Sequence, residues 1–238
     1  MPEEQGAAHS IWLRPERAGR GPAPEYGRDR IADAGVALAD ADGLAAVTMR
    51  AVALALGAGP ASLYRYVATR DELLELMADR ANAGIRYSPG TGDWLADLLE
   101  LARQSRRVYL AHPWLLDLLS ARTPLGPQAV RYLEHALAAL SGLDGVAVRT
   151  RMEAVGMLGA VVAALARAEA AQRLTGRTLP QWQAAQAEYL GHVVATGEHP
   201  HLAAALAGAA QEGRSRGEEP PEALFDRVVT RVLTGLLG

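Results

Sequence analysis

The chain contains no cysteine and no lysine. The first absence excludes disulfide frameworks, thiolate metal sites and cysteine nucleophiles, and a reducing cytoplasm becomes the simplest home. The second excludes phosphate-loop lysines and Schiff bases, and leaves arginine as the one strong side-chain cation. Acidic residues slightly outnumber basic ones, for a net charge of −3, so the whole molecule is no polycation. Long apolar runs are missing too. The longest, AVGMLGAVVAALA at 154–166, is closed by Arg167; it is too short to span a bilayer and reads as a buried helix. The start, MPEEQGAAHS, is acidic and polar, unlike a secretory signal. There is no useful β-alternation, no internal repeat, and no HExxH, GxSxG or GxGxxG pattern. His199 and His201 straddle Pro200 without a third ligand, so no metal site is expected. No cofactor is expected, and little is left for an enzyme to work with.

What remains is a chain of 238 residues, half of them hydrophobic. That is enough for a sizeable core in one large domain, or in one small and one medium domain. Residues 1–27 carry four prolines and four glycines without periodicity, and read as a flexible arm. Arg14, Arg17, Arg20 and Arg28 are spaced along its second half. They suit either a solvated tail or a basic arm lying on phosphates or in a minor groove.

From Arg28 onward the pattern is helical. Ile31, Gly35, Leu38 and Ala39 share one helix face, and Gly43 suits its C-terminal cap. Thr48 can cap a second helix over 49–56, broken by Gly57-Ala58-Gly59. Pro60 fits the first position of a third helix, and Thr69-Arg70-Asp71-Glu72 is a capping box for a fourth. Longer helices are expected near 93–111, 113–122, 127–141, 147–172, 180–195 and 221–237. GEHPHL (197–202) and GRSRGEEPP (213–221) read as loops.

Three short helices with a glycine turn between the second and third form a helix-turn-helix pattern. Turning 100° per residue, Leu63 and Val67 point inward with Val52 and Leu56. Ala61, Ser62, Arg65 and Tyr66 point outward, with Tyr64 on the flank. Between Gly43 and Arg70 there are three arginines and no acid, so the local field is positive on a slightly acidic chain. The competing reading, two core tyrosines in a small bundle, is disfavoured because turn chemistry, capping, polarity and charge agree.

The stretch RDRIADAGVALADADGLAAVTMRAVALALGAGPASLYRYVATRDELLELMADR (28–80) resembles the N-terminal domain of the tetracycline-repressor (TetR) family of bacterial transcriptional regulators. The likeness lies in Gly43-Leu44, Thr48-Met49-Arg50, Val52-Ala53, Leu56-Gly57, Ser62-Leu63-Tyr64, Val67 and the acid-leucine start of the fourth helix. HPWLLDLLS and RTPLGPQAVRYLEHALAAL resemble a subgroup of the family's effector domains. The resemblance implies an all-α fold, with a helix-turn-helix domain over 28–75 and a larger ligand-binding and dimerisation domain over 76–238. It implies a homodimeric cytoplasmic repressor that binds palindromic operator DNA and is released by a small-molecule effector. An activator or co-regulator with the same DNA-binding domain stays open, because the sign of regulation depends on where the operator lies.

By the same resemblance, Thr48 and Arg50 match positions touching phosphate or a nearby base, and Ser62, Tyr64, Arg65 and Tyr66 match the recognition helix. Arg70 matches a backbone contact at the start of the fourth helix. Chemically, Arg65 suits a bidentate bond to guanine, while Ser62 and Tyr64 suit phosphate. The fourth helix, joining both domains, is the natural lever. Gly156, Gly159, Ala160, Ala163 and Ala164 would let another helix approach closely, and with the striped helix over 221–237 they suggest a four-helix dimer interface. Candidates for an effector pocket are Trp94, Tyr109, Trp114, Tyr132, His135, Met152, Trp182, Tyr189 and His192. Arg86-Tyr87-Ser88 and Ser120-Ala121-Arg122 lack the histidines that a metal–tetracycline chelate would need, which argues against that drug.

Overall fold

The structure is a computed structural model and describes residues 10–15, 26–121, 125–175, 179–216 and 220–238. Among the described residues there are α-helices and two single turns of tighter helix, and no strand. The first unit holds α1 (Arg28–Asp42), α2 (Met49–Ala55), α3 (Pro60–Leu63) and α4 (Arg70–Asn82). The second holds α5 (Trp94–Ala111), α6 (Trp114–Ala121), α7 (Pro127–Ala139), α8 (Val148–Thr175), α9 (Leu179–Ala195), α10 (Pro200–Arg216) and α11 (Pro221–Leu237).

The small unit is punctuated by polar caps. Gly43 ends α1 at φ 78°, a conformation open to glycine. Thr48 Oγ1 accepts from Ala51 N at 3.1 Å and starts α2. Gly57, at φ 68°, turns the chain out of α2, and Ala58 N closes back on Ala53 O at 2.8 Å. Thr69 Oγ1 accepts from Glu72 N at 3.1 Å. The Glu72 carboxylate takes the Ala68 N–H at 2.6 Å, one residue earlier than in a strict capping box. Helices α1 and α4 cross closely because residue 35 is glycine: a β-carbon there would lie 2.6 Å from Met77 Sδ.

Apolar packing is continuous between the units. One cluster runs from Ile31, Leu63, Val67 and Met77 through Leu98 and Leu115 to Leu140, Leu158 and Leu233. Polar ties cross the same seam. Asp40 at the end of α1 accepts from Trp114 Nε1 at 2.7 Å and lies 2.8 Å from His112 Nδ1. In the larger unit Arg103 forks onto Asp226 and Arg106 pairs with Glu169, tying α5 to α11 and α8.

Two expectations change. Residues 10–15, expected within a free arm, are packed: Ile11–Leu13 form one turn and Ile11 is 1% exposed. The apolar pair Ile11-Trp12 supplies the driving force. Helix α10 was not expected, and residues 200–202 and 213–216, read as loops, have helical backbone. Pro200 starts it and alanines sustain it, without the apolar stripe that periodicity detects. Helix α8 also outgrows its apolar run: over Val148–Ala171 it is long and apolar enough to cross a membrane by composition. Here it packs on α5, α7 and α11, which makes it a core helix of the larger unit.

Candidate nucleic-acid interface and effector cavity

Helix α3 is stabilised from beneath. Leu63 and Val67 are fully buried, and Tyr66 N and Val67 N close onto Leu63 O at 2.9 and 3.0 Å. That holds the following turn against the core and turns Tyr64 and Arg65 outward. Thr48, Arg50, Tyr64, Arg65 and Arg70 are exposed, and Tyr64 keeps 55% of its surface. Tyr66 is different: it is half-buried and packs on the core, so Tyr64 takes the outer position expected for it. Ser62 Oγ donates to Gly59 O at 2.6 Å, so its proton is occupied within the turn and its oxygen is left to accept. Thr48 is the reverse case: its oxygen accepts in the cap, and its proton is left to donate.

Arginines brace this face from behind. Arg70 donates from Nε to Val47 O at 3.0 Å and from Nη2 to Leu44 O at 3.1 Å, fixing α4 to the α1–α2 connection. Arg14 forks onto Glu72 at 3.1 and 2.7 Å and also reaches Tyr66 O at 3.2 Å. Burial pushes the Glu72 carboxyl up, but bonds from Arg14 and Ala68 N–H, with the charges of Arg14 and Arg28, bring it below its ordinary value.

The second site is a cavity of about 350 Å³ in the larger unit. Its walls come from the end of α4 and the turn after it (Asn82, Ile85), from α5 (Tyr109), from α6 (Leu119), from Leu125 and the first half of α7 (Gln128, Ala129, Tyr132, Leu133), and from α8 (Val155, Gly156, Gly159, Ala160, Ala163). The small residues of α8 create the space, and a β-carbon at 156 or 159 would meet nothing within 4 Å. Among the described residues no carboxylate, arginine or histidine lines it, so its chemistry is that of neutral groups. Gln128 Oε1 is buried without a hydrogen-bond partner. Burial pushes the Tyr109 hydroxyl up to about 12 and the Tyr132 hydroxyl higher still. Both phenols therefore stay protonated donors at neutral pH.

Of the residues expected at an effector pocket, the structure brings Tyr109 and Tyr132 together there. Trp94 packs on the core at the start of α5, and Trp114 is buried on Asp40. His135 stacks edge-on against Tyr87 and lines a separate polar hollow with Arg86 and Asp97. Met152, Tyr189 and His192 are exposed. The side chain of Trp182 lies outside the described residues. Gln128 and Asn82 were missed, since nothing local distinguishes them from surface amides.

Two family profiles match the chain. One, described as "Bacterial regulatory proteins, tetR family", covers residues 31–77. The other, described as "Tetracyclin repressor-like, C-terminal domain", covers residues 88–237. The chain belongs to the TetR family. It is therefore a transcriptional regulator and not an enzyme. The HTH-type transcriptional repressor DrrR1 of Streptomyces coeruleorubidus is 37% identical over 199 residues, which are 81% of this chain and 73% of DrrR1. Among solved structures, ActR of Streptomyces coelicolor in complex with actinorhodin superposes with a TM-score of 0.73 at 27% identity, covering 91% of this chain and 97% of that one. The complex of ActR with (S)-DNPA gives 0.72 at 28% identity, covering 91% and 98%. This TetR-family chain shares with ActR the fold of both units.

Proposed function

We propose that this regulator is a repressor that binds palindromic operator DNA as a homodimer in the cytoplasm, and leaves it when a small molecule fills the cavity. One observation carries the reading: α4 joins the two sites. Its Glu72 end supports the turn after the recognition helix, and its Asn82 end lines the cavity. The helix as a whole has 13 residues, about 20 Å of rigid rod. Thr48, Arg50, Tyr64 and Arg65 form the DNA face, with Arg65 reading a base, Ser62 accepting and the rest positioning, while Arg70 at its edge holds α4 to the α1–α2 connection.

A dimer is supported by α11 and α8. The α11 stripe is wider than its own core uses: Phe225, Val229 and Leu233 are buried, while Leu224, Val228, Val232 and Leu236 form an adjacent row with partial exposure. Met152, Met157 and Ala164 are exposed on α8. Joined as four helices, these edges would be covered, and two recognition helices would stand about 34–36 Å apart. The ligand suited to the cavity is largely apolar and uncharged where it is enclosed, with an acceptor for Tyr132 and a donor for Gln128. Actinorhodin and (S)-DNPA, bound by ActR, are the first compounds to try.

The test is a footprint on DNA flanking the gene, repeated with those compounds. The reading expects protection of an inverted repeat, affinity that falls steeply with salt, and release by a compound whose own binding is weakened by the DNA. A monomer that protects no repeat at low salt would overturn it.

A further inference from the structure

The segment Ser10–Arg14 touches both functional sites. At one end Arg14 holds Glu72 and the carbonyl of Tyr66, the residue whose N–H closes the recognition turn onto Leu63 O. Arg28 locks the segment's backbone by donating from Nη1 to Ile11 O at 3.0 Å and to Arg14 O at 2.9 Å. Ile11 is sunk in the core, so the segment cannot shift without losing that seat. At the other end Trp12 lies against Gly126, at the start of α7. A β-carbon at 126 would lie 2.8 Å from Trp12 Cζ2 and closer still to Asp79 Oδ1. Gly126 is flanked by cavity residues: Leu125 and Gln128 line the wall, and Gln128 N donates to Asp79 Oδ1 at 2.7 Å. Two buried groups near this junction lack partners, the donor Trp12 Nε1 and the acceptor Gln128 Oε1. An arrangement that satisfies either gains a hydrogen bond.

We infer that Trp12 and Arg14 are positioning residues for the recognition helix, and that the seat of Trp12 on Gly126 couples the cavity mouth to that helix along the Ser10–Arg14 segment, alongside α4 and tied to it at Glu72. The inference rests on the proposed DNA-binding function. Arg14 acts through the Tyr66 carbonyl and Glu72, not through phosphate. A ligand that engages Gln128 moves the start of α7, and with it Trp12, Arg14 and the turn carrying Tyr64 and Arg65.

The test needs no effector. The full chain selects a duplex from a random pool, and affinity is measured for that duplex and for a scrambled one of equal length. Arg14→Gln is expected to weaken the selected duplex roughly tenfold while leaving the scrambled duplex and the salt slope unchanged. Arg14→Lys, which keeps the charge facing Glu72 but not the fork, should fall between. Trp12→Ala, far from any DNA, should weaken the selected duplex about fivefold, and Gly126→Ala should cost less in that background than in the unmodified chain, where it also displaces Trp12. Circular dichroism monitors folding, and should Arg14→Gln fail to fold, the Trp12–Gly126 pair decides alone. Equal loss on both duplexes for Arg14→Gln, or a Gly126→Ala effect that is absent or independent of Trp12, overturns the inference. If the unmodified chain selects no duplex, the DNA-binding reading falls first and this inference with it.

Discussion

Helix α3 has four residues and helix α8 has 28. The two units around them are built by different means. In the small unit short helices are fixed at their ends, by Thr48, Gly57, Thr69 and the guanidinium groups of Arg14, Arg28 and Arg70 on backbone carbonyls. A four-residue helix gains little from its own hydrogen bonds, so its neighbours must place it. In the large unit long helices cross, and glycine and alanine leave space between them. A unit that must present Arg65 in one orientation is filled and braced. A unit that must admit a ligand is left incomplete, with Gln128 Oε1 buried and unpaired.

The contrast is broken most severely at Leu63, which is fully buried under the recognition turn. Leu63→Ala should cost about 2–5 kcal/mol, because the braced unit has little freedom to collapse into the void. Urea denaturation measures the loss, and DNA binding should disappear with it. A loss below about 1 kcal/mol would mean that the small unit is less filled than its burial implies.

The next effect is on recognition rather than folding. Arg65→Ala should cost about 1–3 kcal/mol of operator binding and relax preference at one base pair, with no change in unfolding midpoint. Competition with single-base operator variants measures it. Uniform weakening on every variant would assign Arg65 to phosphate instead.

These two residues also show how far the sequence could be read. Caps and turns were legible because each needs a particular residue type at a particular offset, as at Gly43, Thr48 and Thr69. The inner face of α3 was legible from Leu63 and Val67. The exchange of roles between Tyr64 and Tyr66 was not. Regular helix stops at Leu63 and the chain tightens through the Tyr66 N to Leu63 O bond. A wheel at 100° per residue therefore misplaces the side chains beyond Leu63. The cavity was legible only in part. Tyr109 and Tyr132 meet because α5 and α7 cross, and no local pattern encodes a crossing point. The α8 small residues were visible, but whether they admit a helix or enclose a void is decided by their neighbours. Ile11 and Trp12 were the overlooked signal in the arm, two apolar residues amid proline and glycine.

A smaller effect separates the ends of α4 by pH. Glu72 is held below its ordinary value of 4.5 and Asp79 above its ordinary 3.8, the latter by burial and the Asp29 charge against the Gln128 N–H bond. A lowered carboxylate contributes stability that is present above 4.5 and lost as pH falls through the lowered value. A raised one contributes stability that is present below 3.8 and lost as pH rises through the raised value. Glu72→Gln should therefore flatten the decline of stability below 4.5, and Asp79→Asn should steepen it. At neutral pH the Glu72 change should cost up to about 1 kcal/mol, because the pair with Arg14 is partly exposed. Thermal unfolding between pH 3 and 6 measures both; parallel profiles for the two variants would contradict the opposed environments.

The smallest effect has the opposite sign and falls on the incomplete unit. Gly159 sits inside α8, and a β-carbon there meets nothing within 4 Å. Glycine inside a helix carries extra backbone entropy in the unfolded chain, so Gly159→Ala should raise stability by about 0.5–1 kcal/mol. The added methyl projects into the cavity, and a larger residue such as leucine would fill more of it. Stability and DNA affinity should then hold or improve while release by a cavity ligand weakens, with leucine acting more strongly than alanine. That pattern would place the glycine at a site where function is served by a stability optimum left unused. Thermal unfolding, operator affinity and the ligand concentration for half-release are the three readouts. If Gly159→Leu destabilised the chain and blocked dimerisation while release by the ligand survived, α8 would be using Gly159 to receive a partner helix, and the contrast between a filled unit and an open one would have to be drawn elsewhere.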